Sequence, residues 1–221
     1  MQQLLVTVIV RVIALFTVIP VHEFGHALVS YKLGDPTAKN QGRLTLNPIA
    51  HLDPLGSLCM LLTGIGWGKT PINPYFYRNQ KKGLALTALA GPMANVLLAL
   101  VLIALVKVMS LVALMVPALL GSAFYLFLIQ MLGLIAQINI SIAVINLLPV
   151  PPFDGFRILA FFVPAHVTYK LQEYQTYISL AVLMLLLLGF LDWPIQFLTG
   201  FIYKGLGFLT GFIDLIARAI V

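Results

Sequence analysis

The 221-residue sequence has little charge. Only 9% of its residues are Asp, Glu, Lys or Arg, whereas 61% are hydrophobic. Soluble globular domains carry about 25% charged residues. The remaining polar side chains are too few to coat a water-soluble globule of this length. The composition therefore argues against a soluble protein and favours one embedded in a membrane.

Cysteine is almost absent, and so are the marks of a cleaved leader. A single cysteine, Cys59, excludes an intrachain disulfide and disfavours a metal cluster held by thiolates. The first apolar segment lacks a start rich in Lys and Arg and a cleavage site of small residues, so we do not interpret it as a signal peptide.

The net charge of +6 is explained in a membrane protein by basic cytoplasmic loops, and we expect no nucleic-acid partner.

The sequence does contain long apolar runs. A helix that crosses the hydrocarbon core of a bilayer needs about 20 residues. Residues 4–29, 83–106 and 124–150 meet this length, and residues 178–191 form a shorter fourth run. The final apolar stretch, 197–221, is either a fifth span or a helix lying in the interface. We predict an all-α polytopic protein with one domain, residues 1–221, whose core covers about 4–165 and whose C-terminal helices cover about 176–221.

The one long polar stretch lies between the first two strong runs, at residues 31–82, and is rich in turn signals. Within it, residues 58–65 are apolar but too short to span, and residues 67–73 are compatible with a short strand. Non-helical backbone at membrane depth persists only beside protein or a wet cavity. We therefore expect a reentrant or hairpin element in the 50–75 region.

The distribution of basic residues predicts the orientation. The 32–82 loop and the 151–176 loop are placed in the cytoplasm by the positive-inside rule, with the N-terminus outside the cell membrane. Arg11 lies within the first span and must reach the interface or find a partner there. Seven of the thirteen Lys and Arg residues fall in the first of these loops: Lys32, Lys39, Arg43, Lys69, Arg78, Lys81 and Lys82.

A metal-binding motif lies inside the first span. His22-Glu23-Phe24-Gly25-His26 has the form His-Glu-x-x-His. Residues i and i+4 share a face of a helix, so both imidazoles reach one metal ion while Glu23 reaches the metal-bound water. Ionisable residues in a span are costly and are functional candidates by default. The alternative is that these residues only hydrogen-bond to each other or to a neighbouring helix.

A catalytic zinc site needs a third protein ligand and an open position for water. The first and third spans run in the same direction, so their C-terminal ends lie at the same, cytoplasmic, depth. Prolines break the third span after Asn146, and Asp154 follows. We predict Asp154 as the third ligand; the alternative is a helix cap outside the membrane.

Further motifs accompany the His-Glu-x-x-His sequence. With them, the chain resembles the compact prokaryotic branch of the site-2 protease family of intramembrane metalloproteases, over most of residues 20–160. The motifs are Gly91-Pro92-x-x-Asn95, Asn146-x-x-Pro149-x-x-x-x-Asp154-Gly155 and Gly42-Arg43-x-x-x-Asn47-Pro48-x-x-His51-x-Asp53-Pro54-x-Gly56.

The resemblance implies a three-helix catalytic core that holds one zinc ion per chain through His22, His26 and Asp154, with Glu23 as the catalytic base. It also implies cleavage of single-span membrane proteins, often after a first cut by another protease. Asn95 and Asn146 would orient the substrate or stabilise the oxyanion, although hydrogen bonding between helices is an equal alternative for both.

Two other functions remain open from the sequence. One is a transporter or metal permease, and the other is an inactive scaffold that binds a partner through the same site. A Glu between two ligand histidines and the lack of an inverted repeat favour hydrolysis. Residues 58–73 would then receive an extended substrate strand by edge pairing. His51 and Asp53 either approach the site from the loop or only shape that loop.

Overall fold

The computed structural model describes residues 2–63, 66 and 68–220, and within these ranges the chain is helical and forms no β-strand. A π-helical segment, Ala14–Val18, separates the first two helices. The helices are α1 (Gln2–Ile13), α2 (Ile19–Lys32), α3 (Thr37–Asn40), α4 (Pro48–His51), α5 (Pro54–Thr63), α6 (Gln80–Met115), α7 (Ala123–Asn146), α8 (Asp154–Phe162), α9 (Ala165–Glu173), α10 (Gln175–Leu187), α11 (Asp192–Leu209) and α12 (Gly211–Ile220).

Three of the described helical segments are long and apolar enough to cross a membrane. They are Val8–Lys32, which joins the end of α1 to α2 through the π-helical segment, and the helices α6 and α7. Pro20 stands in the first turn of α2 and has no backbone N–H to donate, which favours a break in the regular helix just before it. The prediction of an all-α polytopic membrane protein is confirmed.

The C-terminal region differs from the predicted run at residues 178–191. Helix α10 ends at Leu187, and α11 starts at Asp192 after a bend of 79°, so the two helices form either one broken span or a re-entrant loop. Gly189 makes this bend possible because its φ of 77° lies in the left-handed region. The last residues are divided between α11 and α12, and α12 is attached to α6 by an ion pair of 2.5 Å between Lys107 and Asp214.

Small residues let the long helices pack closely. Helix α6 lies between α2 and α7, and α8 returns to pack against α6. Ala99 of α6 and Ala136 of α7 are fully buried together with Ile103 and Ile140 in one apolar cluster. Close backbone approach through small side chains is the usual way in which membrane helices associate. This packing fixes α2, α6 and α8 around the candidate site.

The described residues of the 50–75 region include the helix α5 and an isolated bridge, and they form no regular hairpin. Leu52 and Gly68 form an antiparallel bridge, and the N–H of Lys69 donates to the carbonyl of His51 at 3.1 Å. The rest of the predicted element, at residues 64, 65 and 67, lies outside the described residues.

Arg11 has partners in the first span. Its Nη1 atom donates to the carbonyl oxygens of Leu61 and Leu62, at 2.8 and 2.7 Å. These carbonyls belong to the last turn of α5, where helix carbonyls lack partners along the helix and carry the negative end of the helix dipole. The guanidinium group of Arg11, inside the span, thus holds α5 against α1.

Candidate metal centre

The two histidines of the His-Glu-x-x-His motif meet Asp154 at one point. His22 and His26 are one helical turn apart on α2 and are only 6% and 5% exposed. Their Nε2 atoms are 3.0 Å apart. The Oδ2 atom of Asp154 lies 3.0 Å from Nε2 of His22 and 3.1 Å from Nε2 of His26. The structure therefore brings together the three residues that the sequence predicts as metal ligands.

The chemistry of these three atoms fits a cation. Nδ1 of His26 lies 2.7 Å from the carbonyl of Thr87, which only accepts, so Nδ1 is the protonated nitrogen and Nε2 offers a lone pair. A carboxylate oxygen and imidazole lone pairs repel one another unless a proton or a metal ion lies between them. Ligands about 2.0–2.1 Å from a tetrahedral zinc ion lie about 3.3 Å apart, close to the spacing of the three atoms.

Asp154 reaches the histidines because of the way α7 ends. Helix α7 stops at Asn146, the chain turns through the prolines, and Asp154 is the first residue of α8. Burial alone would raise the pKa of the Asp154 carboxyl, but His26 and His22 beside it hold this pKa well below its usual range. The N-cap of α8 is Phe153, so Asp154 does not take the cap position of the alternative interpretation, and its carboxylate faces both imidazoles.

Gly91 allows α6 to approach both histidines. A Cβ atom at this position would lie 2.5 Å from Cε1 and Nε2 of His26 and 2.8 Å from Cε1 of His22. Real Cβ atoms do not come this close, so any larger residue here has to move α6 or the imidazoles. The glycine of the Gly-Pro-x-x-Asn motif therefore supports the geometry of the centre.

Glu23 lies on the cavity side of the centre and is 8% exposed. The segment after the isolated bridge passes directly over it. A Cβ atom at Gly68 would lie 2.5 Å from Cγ of Glu23, and the hydroxyl of Thr70 donates to the Glu23 carbonyl at 3.1 Å. The 68–70 backbone thus forms one wall around the carboxylate.

A cavity of about 100 Å³ opens beside the centre. Asn146 lines it together with His22 and Glu23. Nδ2 of Asn146 donates one hydrogen bond, 2.9 Å long, to the carbonyl of Ile142, and its second N–H remains available. Asn95 is fully buried in α6, and its amide atoms find no hydrogen-bond partner within the described part of the chain.

The second His/Asp pair has roles in the loop. His51 is fully buried, and its Nε2 donates to the carbonyl of Thr45 at 2.7 Å. Oδ1 of Asp53 accepts from the N–H of Gly56 at 2.9 Å, in the first turn of α5. These contacts fit the interpretation that the pair shapes the loop.

A buried chain of hydrogen bonds behind His26 was not foreseen from the sequence. The Tyr77 hydroxyl is 3.0 Å from the Thr87 hydroxyl and 2.7 Å from the Ser30 hydroxyl. Ser30 in turn donates to Oδ2 of Asp35 at 2.8 Å. The chain connects two loops to Thr87, whose carbonyl orients His26. The sequence signal was limited to a Gly-Asp-Pro turn at 34–36, because nothing in the spacing links it to residues 77 and 87.

Comparison with known proteins agrees with this site. The model of "Peptidase family M50" matches residues 10–190. The chain is 40% identical over 187 residues to the Bacillus subtilis (strain 168) protein named "Putative zinc metalloprotease YwhC", covering 83% of this chain and 84% of that protein. The predicted resemblance to the site-2 proteases is confirmed.

Two mycobacterial proteins are also similar, and both carry the name "Putative zinc metalloprotease Rip2". Identity is 34% over 145 residues for that of Mycolicibacterium smegmatis and 31% over 143 residues for that of Mycobacterium tuberculosis (strain Erdman). Each match covers 62% of this chain and 51% of the relative, so the chain matches about half the length of these two proteins. No solved structure matches the chain.

Proposed function

This chain belongs to peptidase family M50, and we propose that it cuts membrane proteins within or next to their transmembrane segments. It is a zinc metalloendopeptidase with helices apolar enough to cross a membrane. The observation that carries the proposal is the meeting of His22, His26 and Asp154 beside Glu23, at the end of a span. We infer one zinc ion per chain, held by the first three of these residues.

The chain's own residues supply most of the proposed chemistry. His22, His26 and Asp154 would hold a zinc ion, which would supply a Lewis acid for the scissile carbonyl and lower the pKa of bound water toward about 7. Glu23 accepts the proton of the attacking water and delivers it to the leaving amide nitrogen. Asn146 lines the same cavity, and its free N–H donates to the oxyanion. The fully buried Asn95 would support the site from behind.

The substrate we propose is a single-span membrane protein, cut in a regulated sequence after a first cleavage by another protease. The carbonyl oxygens of a helical substrate segment accept hydrogen bonds within the helix, so the segment must unwind before cleavage. The isolated bridge between Leu52 and Gly68 lies next to Glu23, and the Lys69 N–H donates to the His51 carbonyl beside it. This edge is the place where an unwound substrate would add a strand. We also propose that the site faces the cytoplasmic side of the cell membrane with the N-terminus outside, because basic loops favour the cytoplasmic side.

Glu23→Gln tests this function. The purified protein would be reconstituted in vesicles with a single-span substrate, and the rate at which substrate fragments are released would be measured. We expect the variant to lose at least about a hundredfold in turnover because it has no base, and to keep its zinc because Glu23 is not a ligand. Glu173→Gln is the matched control, since Glu173 is exposed and is the only other glutamate.

The results separate the alternatives. If Glu23→Gln cuts as fast as the native protein, Glu23 is not the base and the mechanism is wrong. If the native protein releases no fragments but moves zinc across the vesicle membrane, it is a permease. If it releases none and moves no zinc but retains the substrate, it is a scaffold.

A further inference from the structure

A second cavity lies next to the metal centre, between the end of α7 and the helix α10. Its volume is about 460 Å³, which is within the usual size of a small-molecule site. Three leucines of α10 form one wall, and the opposite side is formed by Phe153 and Asn146. The leucines are Leu180, Leu183 and Leu186.

This cavity adjoins the one beside the metal centre. Four residues line both: Gly66, Asn146, Phe153 and Leu186. The first cavity is also lined by His22 and Glu23. A peptide whose scissile bond lies at the metal centre therefore has a nearby side chain at the mouth of the second cavity.

The wall from α10 is apolar and points toward this space. Leu180, Leu183 and Leu186 are spaced by three residues, so they share one face of the helix. No described residue of α10 is buried, and Leu183 is 37% exposed. The described residues thus leave an apolar recess beside these leucines.

We propose that this recess, resting on the function proposed above, is a specificity subsite that binds a large apolar side chain next to the scissile bond. The wall that it shares with the catalytic cavity argues for a substrate side chain rather than a lipid acyl chain. Leucine, phenylalanine or methionine fits the volume, whereas alanine and glycine leave it empty. One methylene group more or less on a side chain that fills a hydrophobic pocket changes selectivity between substrates about 10- to 200-fold.

A series of amino-acid hydroxamates tests the subsite without any cleavage. The hydroxamate group binds an active-site zinc ion, and the side chain varies from glycine through alanine to leucine and phenylalanine. Affinity for the full-length, zinc-loaded protein in detergent would be measured by calorimetry. We expect the leucine and phenylalanine compounds to bind at least about tenfold tighter than the glycine compound.

Two substitutions and one control place the effect at this recess. Leu183→Trp fills the cavity and should remove most of the preference while the glycine compound binds as before. Leu183→Ala enlarges the cavity and should shift the preference toward phenylalanine. Leu185→Trp is the control, because Leu185 is 40% exposed and a two-residue step turns it about 200° around the helix.

Each outcome decides the proposal. Equal affinities across the series in the native protein overturn it, and this is also the result expected if a lipid chain fills the recess. The proposal is also overturned if Leu183→Trp still binds the leucine and phenylalanine compounds more tightly than the glycine compound. It is overturned as well if Leu185→Trp loses this preference to the same extent as Leu183→Trp. A preference lost only with Leu183→Trp supports it, and if such a protein cuts no peptide, the function proposed above fails while the subsite stands.

Discussion

The Nδ1 atom of His26 lies 2.7 Å from the carbonyl oxygen of Thr87 on the neighbouring helix α6. This bond fixes the protonated nitrogen of the ring and turns Nε2 toward Asp154. The hydroxyl of Thr87 bonds to Tyr77, and Tyr77 bonds to Ser30. Because such supporting contacts orient metal ligands, changes behind His26 should reach the metal centre.

Tyr77→Phe should weaken the metal centre through this chain. The Ser30 and Thr87 hydroxyls would lose a buried partner, which costs about 1–2 kcal/mol of stability. Removing a hydrogen-bond partner of a metal ligand lowers metal affinity about 10- to 100-fold. Tyr77 is one hydrogen bond further from the ligand, so we expect Tyr77→Phe to lower zinc affinity about three- to tenfold. Zinc competition with a chelator measures this. Tyr75→Phe is the control because Tyr75 is 84% exposed, and equal affinities for the two variants would contradict the role of Tyr77.

Asp35 should make the stability of the protein depend on pH in acid. Its buried carboxylate accepts bonds from the Ser30 hydroxyl, the Thr37 hydroxyl and N–H, and the Asn73 N–H. Burial alone would raise the pKa of Asp35, but these bonds lower it below the ordinary value of 3.8. A carboxyl whose pKa is lowered by folding stabilises the protein above its unfolded pKa, and this contribution is lost as the pH falls through the folded pKa.

The comparison with Asp35→Asn shows this dependence. We expect the native protein to melt at a higher temperature than the variant at neutral pH, with a constant difference down to about pH 5. Below about pH 4 the difference should shrink, because the unfolded state then binds a proton that the folded carboxylate still excludes, and it should be lost once the pH falls through the lowered pKa of the folded Asp35. Thermal unfolding in detergent from pH 7 to pH 3 measures it. A difference that stays the same throughout would show that the charge of Asp35 is not what stabilises the loop.

Gly91→Ala should disrupt the metal centre. The added methyl group would lie 2.5 Å from His26, so α6 or the imidazole must shift. Overpacking of this kind costs about 1–3 kcal/mol, and we expect zinc affinity to fall at least about tenfold. Gly133→Ala in α7 is the matched control, since its methyl group meets nothing within 4 Å. If both variants bind zinc like the native protein, Gly91 does not limit the geometry of the centre.

Gly68→Ala should impair turnover while leaving zinc in place. Its methyl group would lie 2.5 Å from Cγ of Glu23, and Glu23 is not a ligand. A displacement of about 1 Å of a catalytic group can cost about a hundredfold in rate. Cleavage rate and zinc content measured on the same sample separate the two effects. Gly200→Ala, with open space around it, should leave both unchanged. Loss of zinc in Gly68→Ala would show that the loop supports the ligands as well as the base.

The lengths of the apolar runs predicted the three spans. The spacing of His22 and His26 placed both on one face of a helix. The direction of the spans placed Asp154 at the same depth as the two histidines. The same reasoning could not find Thr87. It acts through its backbone carbonyl, and every residue carries that group. Gly68 was also missed, since its contact with Glu23 depends on how a loop folds back.

The partner of Arg11 and the bend after α10 show the same limit. Arg11 was expected to need a partner in the span, but the carbonyls of Leu61 and Leu62 are backbone atoms with no signature of their own. The run at residues 178–191 is apolar throughout, so hydropathy did not reveal that α10 ends at Leu187 and that the chain turns by 79°. Gly189, and Asp192 and Pro194 at the start of α11, were the local signs of that turn.

Zinc content per chain in native protein and in Asp154→Ala tests most directly whether two distant helix ends build one metal site. We predict about one zinc ion per native chain and much less than one in Asp154→Ala after dialysis, because two histidines alone bind zinc weakly. Asp53→Ala is the control and should keep its zinc, since the Asp53 carboxylate accepts from the Gly56 N–H at the start of α5. Equal zinc content in native protein and Asp154→Ala would contradict the three-residue site.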